Sequence, residues 1–273
     1  GGGGGGGGVG GGLARMNTAH EPLSVHAVLA AAAALTGGHS GHSSSGGGGM
    51  GAPAPSGSSP SFHTGYNSSQ LPATWEDKVE VFDALARAMR TGGTRAAHDA
   101  TANVSRLADL FANHLGDAHH RVAQAALEAV VETVPAVGAA LEPYLDRLCP
   151  ALFPRLVDAK EAVRGLASAA LAAVGDAHPA DALLPALLRS LDFAKAPRAK
   201  TGVLEFALYV LSGQGGGTDP TGMGRSPATA GSVSLSAWVA RVAPLTADRH
   251  APLRAAAAAG LAAVHTRADA AIV

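Results

Sequence analysis

The sequence predicts an all-α protein, an α-solenoid of stacked helix pairs with a disordered N-terminal tail. Three observations carry this reading. The first is the stretch Leu141 to Val174, LEPYLDRLCPALFPRLVDAKEAVRGLASAALAAV, where Leu141, Tyr144, Leu145, Leu148, Leu152 and Leu156 recur at helical spacing. After a turn at Asp158 the same period resumes with Val163, Leu166, Ala170, Leu171 and Val174. Two helices with one apolar face each cannot bury both faces against one another, so the pair needs neighbours of its own kind.

The second observation is that such neighbours exist. An aspartate followed five residues later by an apolar or turn residue occurs at Asp117 to Val122, Asp158 to Val163, Asp192 to Pro197 and Asp248 to Leu253. The intervals are 41, 34 and 56 residues, and without a Gly-rich insert near 213–231 the last falls to about 37, close to the period of HEAT and armadillo units. Six residues after the aspartate stand Arg164, Arg198 and Arg254, with Ala123 in the earliest copy. An Asp and an Arg at fixed offsets on stacked units are expected to form a ladder of charge-assisted hydrogen bonds through the turns.

The third observation is compositional. Of 273 residues 36 are glycine, most of them in the first 70 positions and the insert, which leaves roughly 200 residues for one solenoid domain. Residues 1–70 lack the periodic apolar content that would offset the entropy of ordering, so they are expected to be a disordered Gly/Ser-rich tail or linker, with the domain at 71–273. Within the tail Ser24–Leu35, SVHAVLAAAAAL, reads as a marginal Ala-rich helix in a linker, too short to span a bilayer. The poly-Gly run follows no strand and precedes no Lys-Ser or Lys-Thr, so it is not a phosphate loop. The chain does not begin with methionine, as expected for a fragment or for a translated gene model, and an upstream targeting segment stays open.

Order is expected to begin near Leu71. In LPATWEDKVEVFDALARAMR, Val79, Phe82, Ala86 and Met89 share a helical face, Thr74 is the expected N-cap and Trp75 stands just outside the helix. Asn103–Leu115 and the segment from Val122 to Val130 form the next pair, followed by the pair already described. Pro179–Leu191 pairs with Arg198–Leu211, and Leu235–Thr246 with Leu253–Thr266. Pro150, Pro154, Pro185 and Pro244 fall in first helices, where they are expected to bend rather than abolish them. The lone Cys149 lies on an apolar face and rules out a disulfide framework.

Several function classes are disfavoured. A net charge of −1 gives no general attraction to nucleic acid or anionic membrane, and aromatics at 4% do not alternate with basic residues. No histidine pair has HExxH spacing and no cysteine pair exists, so no metal is expected. With no nucleophile elbow and no separable acidic pair, no enzyme and no cofactor are expected either.

HLGDAHHRVAQAALEAVVETVPA, LEPYLDRLCPALFPRLVDAKEAVR, ADALLPALLRSLDFAKAPRAKTGVLEFALYVL and WVARVAPLTADRHAPLRAAA resemble the TOG-type HEAT domain of CLIP-associating proteins, in its plant form, from about Trp75 to Val264. The resemblance implies an armadillo-like paddle of helix pairs whose intra-repeat turns line one edge, and in that family this edge binds tubulin. Carried onto this sequence, the tubulin-binding residues would be Trp75, Lys78, His119, His120, Arg121, Lys160, Lys195, Arg198, Lys200, Arg249 and His250. The implied partner is tubulin or microtubules in the cytoplasm, with other cytoskeletal proteins as further candidates and no nucleic acid or membrane insertion. A docking solenoid for another cytoskeletal or trafficking partner, without direct tubulin binding, is the competing reading. The tail holds no Lys and only Arg15, and the sole isoleucine is Ile272, so neither a basic linker nor an SxIP-type motif is present. About four and a half helix pairs are expected where the family usually has six.

Overall fold

The computed structural model describes residues 24–36, 74–213 and 230–270, and among these the regular structure is entirely helical. The helices are α1 (Val25–Thr36), α2 (Trp75–Thr91), α3 (Gly93–Ala102), α4 (Val104–His114), α5 (His120–Val137), α6 (Leu145–Leu152), α7 (Glu161–Ala177), α8 (Ala180–Phe193), α9 (Pro197–Leu211), α10 (Ala230–Val242) and α11 (Ala251–Ala270). Three 3-10 segments, Gly138–Tyr144, Phe153–Val157 and Ala243–Ala247, join them. Helices α4/α5, α6/α7, α8/α9 and α10/α11 are the four pairs. First helices α4, α6, α8 and α10 stack in one layer, and α2, α5 and α7, then α9 and α11, stack in the other. This is the α-solenoid of HEAT-like pairs that the periodicity predicts.

The core lies between the layers. Phe82, Leu107, Phe111, Leu127, Leu148, Leu152, Phe153, Leu183 and Trp238 are fully buried within one apolar cluster that runs the length of the stack. Small residues set the helix spacing where aromatics intrude. A Cβ on Gly175 would stand 3.2 Å from the Phe206 ring and 3.1 Å from Tyr209, so a larger residue would press on both rings between α7 and α9. Leu166 is half-buried, and Val163, Ala167, Ala170 and Val174 are wholly inside the α7 face. Burial pushes the Cys149 thiol up to about 12, which keeps it protonated and unreactive at neutral pH.

Prolines decide where the first helices change pitch. The stretch Leu141 to Leu156, expected as one helix, is α6 flanked by 3-10 turns containing Pro143 and Pro154. Proline removes a donor and clashes with the preceding turn. Pro244 does the same to the end of α10, whereas Pro150 and Pro185 lie inside α6 and α8 as expected. Gly138, at φ 55°, ends α5 in a conformation open chiefly to glycine. By length and composition the run His120–Val157 is apolar enough to cross a membrane, but it is broken at Gly138 and supplies Val122, Leu127, Val134, Leu148 and Phe153 to the core.

Two segments depart from expectation. Helix α1 is no marginal linker helix: Val25, Val28, Leu29 and Ala32 are buried, spaced i, i+3, i+4 and i+7, and α1 packs on α2, α3 and α4. The Ser24 hydroxyl accepts from the Ala27 N–H at 3.1 Å, and Arg106 donates to the Leu29 carbonyl at 3.2 Å. The rest of the expected tail, 1–23 and 37–70, lies outside the described residues. Helix α3 has no counterpart in the sequence reading, because its buried positions Ala96 and Ala100 are too small to stand out as a stripe. The expected loop at 213–231 lies outside the described residues at 214–229; Gly213 closes α9 at φ 74°, and Ala230 and Gly231 already belong to α10.

Candidate functional site

The turns between the two helices of each pair, together with the start of α2, lie along one edge of the solenoid. Their local geometry repeats. Asp117, Asp158 and Asp248 each stand three residues before the second helix, with Asp158 and Asp248 in extended conformation after a 3-10 turn. In each, Oδ1 accepts the backbone N–H two residues on, from His119, Lys160 or His250, at 2.9 Å. Arg164 then donates to the Asp158 and Ala159 carbonyls at 2.8 and 3.1 Å, and Arg254 to the Asp248 and Arg249 carbonyls at 2.9 and 3.1 Å. The Asp and Arg thus clamp one turn and do not form the expected ladder between turns.

The third turn is shifted in register. Helix α9 starts at Pro197, so its counterpart of Asp158 is Ala194, extended at φ −69° and ψ 108°, and Lys200 is the counterpart of Arg164. Asp192 lies inside α8 and pairs with Arg241 of α10. Matching Asp192 to Asp158 fails because the spacing that matters is counted from the second helix, and alanine at that position leaves no side-chain marker.

Cross-links between units come from arginines not expected to act there and from Lys78. Arg155 donates to the Leu115 carbonyl, to the Asp117 carbonyl at 3.0 Å and to the Asp158 carboxylate at 2.9 Å, joining two successive turns. Lys78 bridges from α2 to Asp117 at 2.8 Å. On the first-helix layer Arg147 pairs with Asp109, Arg189 with Asp146 and Arg241 with Asp192, each across neighbouring helices.

At the first turn Trp75 is the first residue of α2 rather than outside it, behind a capping box in which Thr74 and Asp77 exchange hydrogen bonds. Its half-buried ring stacks on His119 with centroids 4.3 Å apart, and the Arg121 guanidinium lies 5.7 Å from the same ring. His120 stacks on His119 at 5.3 Å. Adjacent residues on a regular helix would not share a face, but His119 is the extended N-cap of α5, which turns its ring towards both neighbours.

The eleven residues implied by the resemblance therefore divide. Lys78 is consumed in an ion pair, His119 is held in the stack, and His250 bonds Asp248 at 2.8 Å. His120, Arg121, Lys160, Lys195, Arg198 and Arg249 are exposed on the turn edge, and Lys200 is half-buried beside Leu191 and Leu245. Two apolar residues of the edge were not anticipated: Val157 and Phe193, both exposed.

Electrostatics follow the turn geometry. Burial works to raise the Asp117 carboxyl, but hydrogen bonds from Lys78 and the His119 N–H and the Lys78 charge outweigh it, so it lies below the usual range. The N–H of Lys160 holds Asp158 low, and that of His250 holds Asp248 low. Burial depresses His178, whose ring nitrogens have no hydrogen-bond partner among the described residues. All four groups bind protons more readily when unfolded, so stability must fall on acidification. The expected result is a drop in the urea midpoint below about pH 6.5, where His178 would charge on unfolding, and a second below about pH 3.9, as the aspartates of the turns are protonated. Asp83, raised by burial and by Glu128, acts in the opposite sense in the second window. His178→Leu should abolish the first drop, as measured by urea unfolding at pH 7.5 and 5.5.

An edge of clamped turns on a two-layer helical stack defines a HEAT-repeat scaffold. Residues 75–210 match the family model of the EF3 N-terminal HEAT repeat. Over 207 residues the chain is 35% identical to the CLIP-associated protein of Arabidopsis thaliana, covering 76% of this chain but 14% of that relative. Two solved structures share the fold: one from work on TOG–tubulin binding specificity in microtubule dynamics and mitotic spindle formation, with TM-score 0.53, 18% identity, and 71% and 72% of the two chains covered. The other is of crescerin, which uses a TOG domain array to regulate microtubules in the primary cilium, with TM-score 0.50, 18% identity and the same coverage. The chain is similar to a CLIP-associated protein and its described part shares the fold of these structures; it spans about a seventh of the length of the curated relative it matches.

Proposed function

We propose that this domain is a non-enzymatic, microtubule-associated module that binds tubulin along its turn edge and so regulates microtubule dynamics or stability in the cytoplasm. The observation that carries the reading is the distribution of charge on that edge. Arg121, Lys160, Lys195, Arg198 and Arg249 are exposed on four successive turns, while Asp117, Asp158 and Asp248 accept from their own backbone and pair with Lys78, Arg155 and His250. Tubulin is acidic, so such a row accelerates encounter and fixes register. Trp75, Lys78, His119, His120, Lys200 and His250 complete the proposed contact, with the Trp75–His119 stack as its aromatic end.

The test is a titration of the chain with unpolymerised tubulin alongside microtubule co-sedimentation. Binding in either assay is the expected result, and binding in neither overturns the proposal in favour of a docking solenoid for a different partner. Lys160→Glu and Lys195→Glu should each weaken binding, and the loss should shrink as salt rises, because exposed charges are screened over about 8 Å at physiological ionic strength. A loss that does not change with salt would remove these lysines from the interface.

A further inference from the structure

Among the described residues three large hydrophobic side chains are exposed: Val157 at 37%, Phe193 at 62% and Val239 at 38%. Two of the three occupy the same place in the repeat. Counted from the start of the second helix, Val157 and Phe193 both stand four residues before it, where the other turns have Gly116 and Ala247. The solenoid does not need them there. Each immediately precedes the extended residue of its turn and faces solvent, while Phe153 and Leu191 on the same helices fill the core.

Phe193 is also held in place. The Arg189 guanidinium lies 5.7 Å from its ring centroid and is itself fixed by Asp146 at 3.0 Å, which braces the ring from one side and leaves the rest open. Exposed cations follow both apolar residues in the chain: Lys160 comes three residues after Val157, and Lys195 and Arg198 two and five residues after Phe193, while Asp158 and Asp192 adjoin them. An ordered aromatic that the fold leaves in water, with one arginine against its ring and further cations in the turn that follows, has the composition of an interface centre with a polar rim.

We infer that Val157 and Phe193 form an apolar track across the two central turns that seats on tubulin, with Phe193 as a second anchor distinct from Trp75. This rests on the tubulin-binding reading above. The occupant is the acidic partner already proposed, since the cations beside the track demand carboxylates beside the apolar surface that receives it. The track and the cations divide the work. Lysine and arginine supply long-range, salt-sensitive attraction, and the track supplies short-range burial that salt does not screen.

The experiment titrates the full chain and its variants with unpolymerised tubulin at low and at raised salt, with melting temperatures recorded for each. Phe193→Ser is expected to weaken binding by about tenfold at both salt concentrations, the size of an interface anchor, while melting within a few degrees of the parent. Phe193→Leu should retain most of the affinity, and Val157→Ser should add a smaller loss. Lys195→Glu serves as the contrast, with a loss that shrinks as salt rises. Parental affinity in Phe193→Ser, or a loss that fades with salt as for Lys195→Glu, overturns the track while leaving the tubulin reading intact. Absence of binding by the parent chain overturns both.

Discussion

Trp75→Ala is expected to weaken tubulin binding by about 2 kcal/mol or more, the loss typical of a central aromatic anchor. The ring is half-buried, stacked at 4.3 Å on His119 and faced by Arg121, so its removal takes away a broad contact and also the surface that orders His119 and His120. The capping box of Thr74 and Asp77 does not involve the ring, so α2 should still start at the same residue. A modest fall in melting temperature is expected, because part of the indole packs on the core. Affinity per folded molecule, from titrations run well below the melting temperature, is the deciding quantity. If Trp75→Ala melts the domain while affinity per folded molecule is retained, the indole is a packing residue and the aromatic end of the interface is removed.

Trp238→Ala is expected to have the largest effect on stability, about 3 to 5 kcal/mol. Trp238 is wholly buried on α10 within the apolar cluster, where α10 packs on α8 and α11, and alanine leaves a void that these helices close only in part. Trp238→Phe provides the control. The indole Nε1 has no hydrogen-bond partner among the described residues, and a buried unpaired donor costs about 1 to 3 kcal/mol. Phenylalanine removes that donor along with some volume, so it should cost far less than alanine. Urea unfolding of the two variants measures the difference, and equal losses would show that the site tolerates no shrinkage at all.

The fold was legible because its signal is periodic and its elements are long. The stripes on α5, α7 and α9 each hold several valine, leucine or phenylalanine residues at helical spacing among the alanines, and these mark the pairs and their order. What escaped was carried by small residues or by geometry outside the helices. The α1 stripe was visible as Val25, Val28, Leu29 and Ala32, but its Gly-rich flanks outweighed it, since packing on α2 depends on tertiary contact that local composition does not record. For the edge, residue types were readable and partnership was not: Lys78, His119 and Lys195 look alike in sequence, yet the first is neutralised by Asp117, the second is trapped against Trp75 and the third is exposed. Arg155 was invisible because its acceptors are mostly carbonyls about 40 positions away. Phe193 stands two residues beyond the helix expected at Pro179–Leu191 and was not singled out, whereas the structure makes it the last residue of α8, four before α9.

The ion pairs of the first-helix layer all run the same way. Asp109 meets Arg147 of the following helix, Asp146 meets Arg189, and Asp192 meets Arg241, so α6 and α8 each offer an arginine backwards and an aspartate forwards. Exposed pairs of this kind contribute only about 0 to 1 kcal/mol each, too little to hold the stack together, but they give it a polarity. A repeat copied by duplication and inserted between two others would arrive with both halves of the next rungs already in place. One stacked in the reverse sense would set carboxylate against carboxylate, so the array is built to lengthen in one orientation only.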